Sequence, residues 1–230
     1  MLYWDPTYLI LLPALIISAW AQMRIQSVYH QASQLAASCG ATAAQVARQI
    51  LDGAGLYQVQ IEPAPGQGLS DHYDPRADVL RLSALNFSSA SIAALGVAAH
   101  EAGHAIQKHE GYAPMSVRAV ILPVANFGQM ASWPLLLIGL IFGSSTLAML
   151  GVYLFSAVLL FQLVTLPVEF NASARAITLL DQMNILQPEE LEQAKKVLRA
   201  AAMTYVAAAF TALLQLLRLF TLANRGNRRD

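Results

Sequence analysis

Four long apolar stretches constrain this chain more than any other feature of its sequence. They cover about residues 2–21, 119–142, 146–166 and 200–223, and each reaches the roughly 20 residues that a helix needs to cross a bilayer core. Charged residues make up only 12% of the chain, against about 25% in ordinary soluble proteins. The sequence therefore predicts a mainly α-helical integral membrane protein with about four transmembrane helices.

The first three stretches differ in their flanks. No Lys or Arg precedes the first, so it lacks the basic region of a signal peptide, and we interpret it as a retained anchor. Its Tyr3, Trp4 and Trp20 are expected near the membrane interfaces. The second and third are separated only by the sequence "GSS", which predicts a helical hairpin. Asn126 and Gln129 lie inside the second stretch, where the sequence favours hydrogen bonds between helices over contacts with a substrate.

The fourth stretch carries a polar stripe. Thr204, Thr211, Gln215 and Arg218 recur at helical spacing, which is typical of a helix face that packs against protein. Its 24 residues are long enough to span, so the sequence favours a crossing over a membrane-associated helix without deciding between them.

Residues 22–118 form the main polar segment and predict a small α+β unit. The run "ATAAQVARQILDGAG" predicts a helix capped by Thr42, and "LYQVQIE" alternates like a half-buried strand. In "DHYDPRADVLRLS" two short strand-like runs flank the turn signal Asp74-Pro75. The next run, "SSASIAALGVAAHEAGHAIQK", predicts a helix of about five turns with Ser88, Ser89 or Ser91 as its cap.

This last helix contains the pattern H-E-x-x-H, formed by His100, Glu101 and His104. Residues four apart share one helix face, so both imidazoles can bind one zinc ion while the glutamate accepts a proton from the attacking water. A chance match is disfavoured because two histidines and a glutamate are costly to bury in an apolar helix without a partner.

A catalytic zinc usually takes three protein ligands, and two candidates for the third stand out. His72 lies in the polar segment before the motif. Glu169 follows Pro167, which we expect at the start of a new helix within the connector of residues 167–199. Because a hairpin of two spans returns the chain to the face it left, Glu169 can reach the zinc, and it is the better candidate of the two.

The chain resembles membrane gluzincins, and more closely the YugP-type neutral zinc metallopeptidases of bacterial membranes. The resemblance rests on "DPTYLILLPALIISAWAQ", "DHYDPRADVLRLS", "SIAALGVAAHEAGHAIQ", "LPVEFNASARA" and "TALLQLLR", and it spans nearly the whole chain. It implies a single domain over residues 1–230, with one Zn²⁺ per chain held by His100, His104 and Glu169. It also implies that Glu101 is the catalytic base.

Two departures from the family pattern concern residues around the ligands. Ser173 stands where many gluzincins have an aspartate that orients a ligand histidine, and Asn171 replaces the acid of E-F-D-A-S. Both side chains can accept a hydrogen bond, so we expect both to support the ligands. Arg175 lies nearby, where it could stabilise an oxyanion as a catalytic residue or pair with a carboxylate.

The substrate is expected to bind as an extended strand. Residues 79–83 immediately precede the zinc helix, and we expect them to form the edge strand that pairs with the substrate backbone. The residues in question are Val79, Leu80, Arg81, Leu82 and Ser83.

Taken together, these features predict a membrane-embedded zinc endopeptidase that hydrolyses membrane-associated proteins or peptides through a zinc-activated water. A net charge of zero implies no nucleic-acid partner, and the lone Cys39 excludes an intrachain disulfide. One alternative is cleavage inside the bilayer, as in site-2 proteases, although the "LDG" containing Asp52 precedes the zinc helix rather than following it. Another is a non-catalytic scaffold or chaperone that retains a metal.

The distribution of basic residues predicts an orientation in the bacterial cytoplasmic membrane. Residues 22–118 hold six Lys or Arg and residues 168–199 hold four, whereas the hairpin tip has none. The positive-inside rule therefore predicts that the active site faces the cytoplasm. Arg225, Arg228 and Arg229 conflict with this rule if the fourth stretch spans. The sequence leaves the oligomeric state open.

Overall fold

The computed structural model describes residues 5–65 and 70–226, and this part of the chain is mainly helical with one small sheet. A short 3-10 helix, Pro6–Leu11, leads directly into the first α-helix. The remaining elements in chain order are α1 (Leu12–Ser33), α2 (Ala43–Gly53), β1 (Gln60–Pro63), β2 (His72–Asp74), β3 (Val79–Leu82), α3 (Ala84–Phe87), α4 (Ile92–His109), α5 (Ala113–Ile141), α6 (Ser145–Gln182) and α7 (Pro188–Gly226).

Within residues 5–65 and 70–226, four helical segments are long and apolar enough to cross a membrane: Pro6–Ser33, Ala113–Ile141, Ser145–Gln182 and Pro188–Asn224. Each of them overlaps one of the four apolar stretches seen in the sequence. The chain is therefore an integral membrane protein of mainly α class. Tyr3, Trp4, Arg228 and Arg229 lie outside the described residues, as does the side chain of Arg225.

The described residues divide into two compact units. Residues 5–21, 116–166 and 204–226 form what we call the membrane unit. Residues 22–65, 70–115 and 167–203 form what we call the sheet unit. Three of the spanning segments contribute one end to each unit, and the fourth, α5, lies almost wholly in the membrane unit.

The membrane unit is built around close contacts between α5 and α6. Gly143 in the connecting turn has φ +66°, a conformation that glycine adopts without strain. The helices then approach so closely that a Cβ on Gly139 would meet the backbone of Ala148, and one on Gly128 would meet the carbonyl of Leu154. Small residues at such crossings are typical of helices that pack within a bilayer.

Helix α7 runs antiparallel to the first helical segment in the membrane unit. Arg218 is 4% exposed, and its guanidinium donates to Thr7 at 3.1 Å and lies 3.4 Å from a carboxylate oxygen of Asp5. Further along both helices, the hydroxyls of Ser18 and Thr211 are 3.2 Å apart. Thr211 and Arg218 of the polar stripe thus contact protein, as its spacing predicts. The crossing of the bilayer by this helix stays a prediction.

Two expected helix boundaries differ from the structure. A helix was expected to start near Pro167, but α6 continues through this residue without interruption. The two prolines of α5, Pro123 and Pro134, also lie inside the helix. Spanning helices tolerate proline because neighbouring groups and local adjustments satisfy the freed carbonyl. Helix α7 likewise starts at Pro188, well before the apolar residues of the fourth stretch begin.

The expectation for Asn126 and Gln129 is wrong. Both residues are exposed on α5, and within the described residues neither side chain forms a hydrogen bond. The buried face of α5 consists of small and apolar residues, among them Gly128 and Leu136. Neither amide therefore forms the hydrogen bond between helices that was expected of it.

The sheet has the strand order β1-β3-β2, and this corrects the prediction that residues 79–83 form an edge strand. Strand β3 pairs in parallel with β1 on one side and antiparallel with β2 on the other. Val79, Leu80 and Leu82 are buried, and Ser83 is bonded to Asp71. Because both sides of β3 are paired, its backbone is not available to a substrate. The sequence shows the strands but not their lateral order.

The sheet unit has a well-packed core between α2, α4 and the sheet. Thr42 and Gln45 form a reciprocal capping box at the start of α2, and Ser91 caps α4, so both predicted caps are confirmed. Each buried Leu or Ile side chain contributes about 1.5–3 kcal/mol to such a core. The packing holds α4 as a rigid element within the unit.

Candidate metal centre

Helix α4 presents the two motif histidines to one point. His100 and His104 are one helical turn apart, and their rings meet edge to face with centroids 4.7 Å apart. His104 is 8% exposed, whereas His100 is slightly more open. The helix is rigid here because its surrounding residues are almost all buried.

Glu169 on α6 completes the cluster. One carboxylate oxygen lies 3.3 Å from Nε2 of His100 and 3.6 Å from Nε2 of His104. The residue is 2% exposed. The three ligand atoms lie within 4.8 Å of one another, and they form the one such cluster within residues 5–65 and 70–226. The structure thus brings together the three residues that the resemblance implies as ligands.

Gly103 allows α6 to come this close to α4. A Cβ at position 103 would lie 2.9 Å from the carbonyl oxygen of Ala172, so a side chain there would push the two helices apart. Ala172 is one turn after Glu169 on α6, and Gly103 precedes His104 on α4. The glycine in "HEAGH" therefore sets the separation of the ligands from opposite helices.

The donor set fits a zinc ion. Zinc bound tetrahedrally at about 2.0–2.2 Å from nitrogen and oxygen ligands holds them about 3.3–3.5 Å apart. The distances of 3.3 and 3.6 Å from the Glu169 carboxylate to the histidine nitrogens agree with that spacing. Burial lowers the pKa of His104, but the hydrogen bond with Glu169 and the charges of Glu101 and Glu169 raise it overall. The same negative potential favours a bound cation.

Each histidine uses its second nitrogen for a hydrogen bond that orients its ring. Nδ1 of His100 lies 3.2 Å from the hydroxyl of Ser173, and Nδ1 of His104 lies 3.0 Å from Oε1 of Gln107. Such partners fix the tautomer that leaves Nε2 free to bind metal. Ser173 thus lies where it was expected. Gln107 was not singled out, although its position three residues after a ligand on the same helix could have indicated it.

A chain of polar contacts extends outwards from Gln107. Its amide nitrogen donates to the carbonyl of Val168 and to Oδ1 of Asn171, at 2.8 and 2.9 Å. The same Asn171 oxygen accepts from Nε of Arg175 at 2.8 Å, and Arg175 forms an ion pair with Glu110 at 2.6 Å. The hydrogen bond that Arg175 donates to Glu110, together with the positive charge of Arg175, lowers the pKa of Glu110. Of the two expected uses of Arg175, the structure contains the pairing with a carboxylate.

Glu101 is held beside the cluster by the sheet. Its carboxylate accepts the backbone N–H of Tyr73 on β2 at 2.9 Å, and the residue is 9% exposed. The hydroxyl of Tyr73 in turn bonds to Asp78, which also accepts from Lys108 and lies 3.1 Å from Nε2 of His109. Tyr73 and Asp78 therefore link Glu101 by hydrogen bonds to Lys108 and His109 at the end of α4.

The remaining histidines of the described chain lie outside the cluster. Nδ1 of His72 bonds to the carbonyl of Ser70, and His109 pairs with Asp78. Asp52, discounted from the sequence, pairs with Arg48 on α2. The structure thus offers Glu169 rather than His72 beside the two motif histidines.

Comparisons with known proteins agree on a single family. A family model described as "Putative neutral zinc metallopeptidase" matches residues 7–224. The chain is 47% identical over 205 residues to the "Putative membrane protease YugP" of Bacillus subtilis (strain 168), which covers 89% of this chain and 91% of that relative. No solved structure matches the chain significantly.

Proposed function

Because the chain belongs to the neutral zinc metallopeptidase family, we propose that it is a zinc-dependent endopeptidase of membrane-associated proteins or peptides. The observation that carries the proposal is the position of the Glu169 carboxylate, 3.3 and 3.6 Å from Nε2 of His100 and His104, with Glu101 held beside them. A purely structural metal site would have no need of the glutamate.

In the proposed mechanism the protein residues hold the ion and move one proton. His100, His104 and Glu169 would hold one Zn²⁺ per chain, and the ion would supply a Lewis acid that lowers the pKa of a water molecule towards about 7. Glu101 accepts the proton of that water and later passes it to the leaving amine. The N–H of Tyr73 keeps the Glu101 carboxylate pointed into the site. Hydrolysis then requires no covalent intermediate with the enzyme.

We propose that the substrate backbone pairs with β2 instead of β3. Strand β2 is at an edge of the sheet formed by the described residues. One side of β2 pairs with β3, and no strand of these residues pairs with its other side. The N–H of Tyr73 on this strand points to Glu101. A peptide that extends the sheet at β2 would therefore run past the catalytic glutamate.

Arg175 and Asn171 are proposed to position ligands. The bonds from Glu110 through Arg175 and Asn171 to Gln107 end at His104, so they favour an orienting role for this chain of side chains. A contact between Arg175 and an oxyanion would require its guanidinium to leave Glu110. The oxyanion role therefore has less support than it had from the sequence.

Cleavage at the membrane surface is favoured over cleavage inside the bilayer. The sheet beside the site carries ion pairs of Arg81 with Glu62 and Asp74, at 3.3 and 3.1 Å. Charged side chains that are partly open to solvent do not suit a hydrocarbon environment.

A Glu101→Gln substitution tests the catalytic role. We expect the variant to keep about one zinc per chain and to lose at least ~10²-fold in activity, the scale of a general base. Activity would be measured on dye-labelled casein with purified full-length protein. Glu192→Gln on the exposed part of α7 is the matched control and should leave activity unchanged. A metal-loaded Glu101→Gln protein with full activity would exclude the proposed role.

We also propose that the sheet unit faces the cytoplasm of a bacterial cell, on the strength of its basic residues. Cys39 is exposed in the sheet unit and is the only cysteine of the chain. In intact cells, an impermeant maleimide should fail to label it. It should label Phe142→Cys, at the 78% exposed hairpin tip, in a Cys39→Ser background. The reverse labelling pattern would place the site outside the cytoplasm.

A further inference from the structure

The membrane unit contains a cavity between all four of its helical segments. Its volume is about 620 Å³, within the range of about 300–1,000 Å³ that is common for ligand sites. Most of the lining is apolar, with Trp133 and Phe155 among the larger side chains. Three glutamines also line it, one each from α5, α6 and α7: Gln129, Gln162 and Gln215.

The three glutamines have no hydrogen-bonding partner in the described part of the chain. The two hydroxyls that line the same cavity behave differently, because Ser18 and Thr211 are 3.2 Å apart and Thr211 also donates to the carbonyl of Ala207. An amide without a partner costs several kcal/mol in hydrocarbon. Gln129 is exposed and Gln162 and Gln215 are half-buried, and the presence of all three in the lining of one cavity indicates a polar occupant.

The lining also restricts the chemistry of that occupant. No Asp, Glu, Lys or Arg of the described chain lines the cavity, and the nearby Arg218 already contacts Asp5 and Thr7. An anionic lipid headgroup would require a cation here. Each glutamine offers two N–H donors and a carbonyl acceptor, which is the same pairing that a peptide group presents. The apolar walls suit the side chains of a membrane-inserted segment.

We propose that this cavity binds a short unwound stretch of a membrane-inserted polypeptide, through hydrogen bonds from the three glutamines to its peptide groups. A continuous helix satisfies its own backbone, so only an interrupted segment presents free N–H and C=O groups within the bilayer. The assignment of this polypeptide as a substrate rests on the proposed protease function. The binding itself does not depend on hydrolysis.

The test uses two synthetic single-span peptides of leucine and alanine, one continuous and one interrupted by a central Gly-Pro-Gly. Full-length Glu101→Gln protein is reconstituted in phosphatidylcholine vesicles with a donor dye on Cys39, and each peptide carries an acceptor dye. Energy transfer then reports binding without cleavage. We expect the interrupted peptide to bind at least ~10-fold more tightly than the continuous one.

Substitutions of the lining amides should remove this preference. Gln162→Leu and Gln215→Leu should each weaken binding of the interrupted peptide roughly threefold to tenfold, the scale of a hydrogen bond within a membrane protein. Asn126→Leu is the matched control, because it removes an exposed amide of α5 that does not line the cavity. This control should change the affinity for neither the interrupted nor the continuous peptide. Zinc content near one per chain would show that each variant is folded.

Other outcomes overturn the proposal. Equal binding of the two peptides would mean that the cavity does not recognise exposed peptide groups. A preference for the interrupted peptide that persists in both glutamine variants would mean the same. If phosphatidylglycerol that co-purifies with the protein is lost in the glutamine variants, while peptide binding is unchanged, the cavity is a lipid site. Hydrolysis of casein by the unsubstituted protein is measured separately, so a failure of the protease proposal can be told apart from a failure of this one.

Discussion

The proposed metal centre of the sheet unit and the cavity of the membrane unit differ in whether their polar side chains are hydrogen-bonded within the protein. At the proposed metal centre, Ser173 bonds to His100 and Gln107 bonds to His104, the two histidines proposed as ligands, and Gln107 is itself held by Asn171. In the cavity, Gln129, Gln162 and Gln215 have no hydrogen bond within the described residues.

This difference corresponds to two kinds of binding. A metal ion needs ligands fixed to within a few tenths of an ångström, so the side chains around them are locked in advance. A polypeptide of variable sequence is bound better by amide side chains that can rotate to form hydrogen bonds with different peptide groups. Fixed partners in one unit and free amides in the other therefore indicate a centre for chemistry and a surface for recognition.

Removal of the third ligand should have the largest effect on the metal centre. Loss of an orienting partner typically costs 10–100-fold in metal affinity, so Glu169→Ala should weaken zinc binding by more than ~100-fold. His72→Ala should leave it unchanged, because His72 bonds to the carbonyl of Ser70 outside the cluster. Competition with a chelator, followed by elemental analysis, measures both. Similar zinc retention in the two variants would contradict the assignment of Glu169.

The close approach of α4 and α6 offers a test that changes no polar group. In Gly103→Ala the new Cβ would lie 2.9 Å from the carbonyl oxygen of Ala172, so Glu169 should move away from the histidines and zinc affinity should fall by about 10–100-fold. Gly96→Ala is the matched control on the same helix, since its Cβ would lie 3.6 Å from Cβ of Ala194, an ordinary contact.

Both substitutions gain the same helix propensity of about 1 kcal/mol, so the difference between them isolates the packing at Gly103. Zinc affinity and thermal unfolding would be measured for both variants. If the two bind zinc equally well, the separation of the helices does not control the metal centre.

A third substitution compares the two regions directly. Gln107→Leu should weaken zinc binding about tenfold, the low end for an orienting partner, because the bond between Ser173 and His100 remains. Gln215→Leu makes the same chemical change in the cavity and should leave zinc affinity unaffected. An equal loss in both variants would mean that the loss reflects general destabilisation and not the orientation of His104.

The smallest expected effect concerns the contacts that anchor Tyr73. Burial raises the pKa of Asp78, but hydrogen bonds from Tyr73, His109 and Lys108 lower it overall to about 2 from an ordinary 3.8. A lowered carboxylate pKa stabilises the folded state above the unfolded value, and this stabilisation is lost as the pH falls towards 2.

Asp78→Asn should therefore lower the unfolding temperature by a few degrees at pH 7. The difference from the unsubstituted protein should shrink as the pH falls below about 4. Glu192→Gln, in which an exposed side chain is changed, serves as the control. A constant difference across this pH range would show that the Asp78 charge does not contribute.

The sequence was most informative where structure is local. Thr42 was identified as a cap and Ser91 as one of three candidate serines, because a helix start has a short-range signal. The pair His100 and His104 follows from helical spacing. The family and the mainly helical membrane class also follow from the sequence. Gln107 could have been found by the same spacing argument, since it lies one turn after His104.

Predictions that depended on lateral order or on long-range contacts were less successful. Nothing in residues 79–83 shows that β3 is inserted between β1 and β2, because the order of strands depends on how the loops cross. Pro167 was expected to begin a helix, yet the surrounding apolar residues keep α6 continuous. The convergence of Gln129, Gln162 and Gln215 on one cavity required the packing of three separate helices.

X-ray absorption at the zinc edge of the purified full-length protein tests the central claim most directly. We predict one zinc per chain bound by two imidazoles, from His100 and His104, with oxygen donors that include the carboxylate of Glu169. The oxygen contribution should change in Glu169→Gln, and the two imidazoles should remain. Three imidazoles would instead favour a ligand such as His72, sulfur in the spectrum would point to Cys39, and a chain that binds no zinc would contradict the account as a whole.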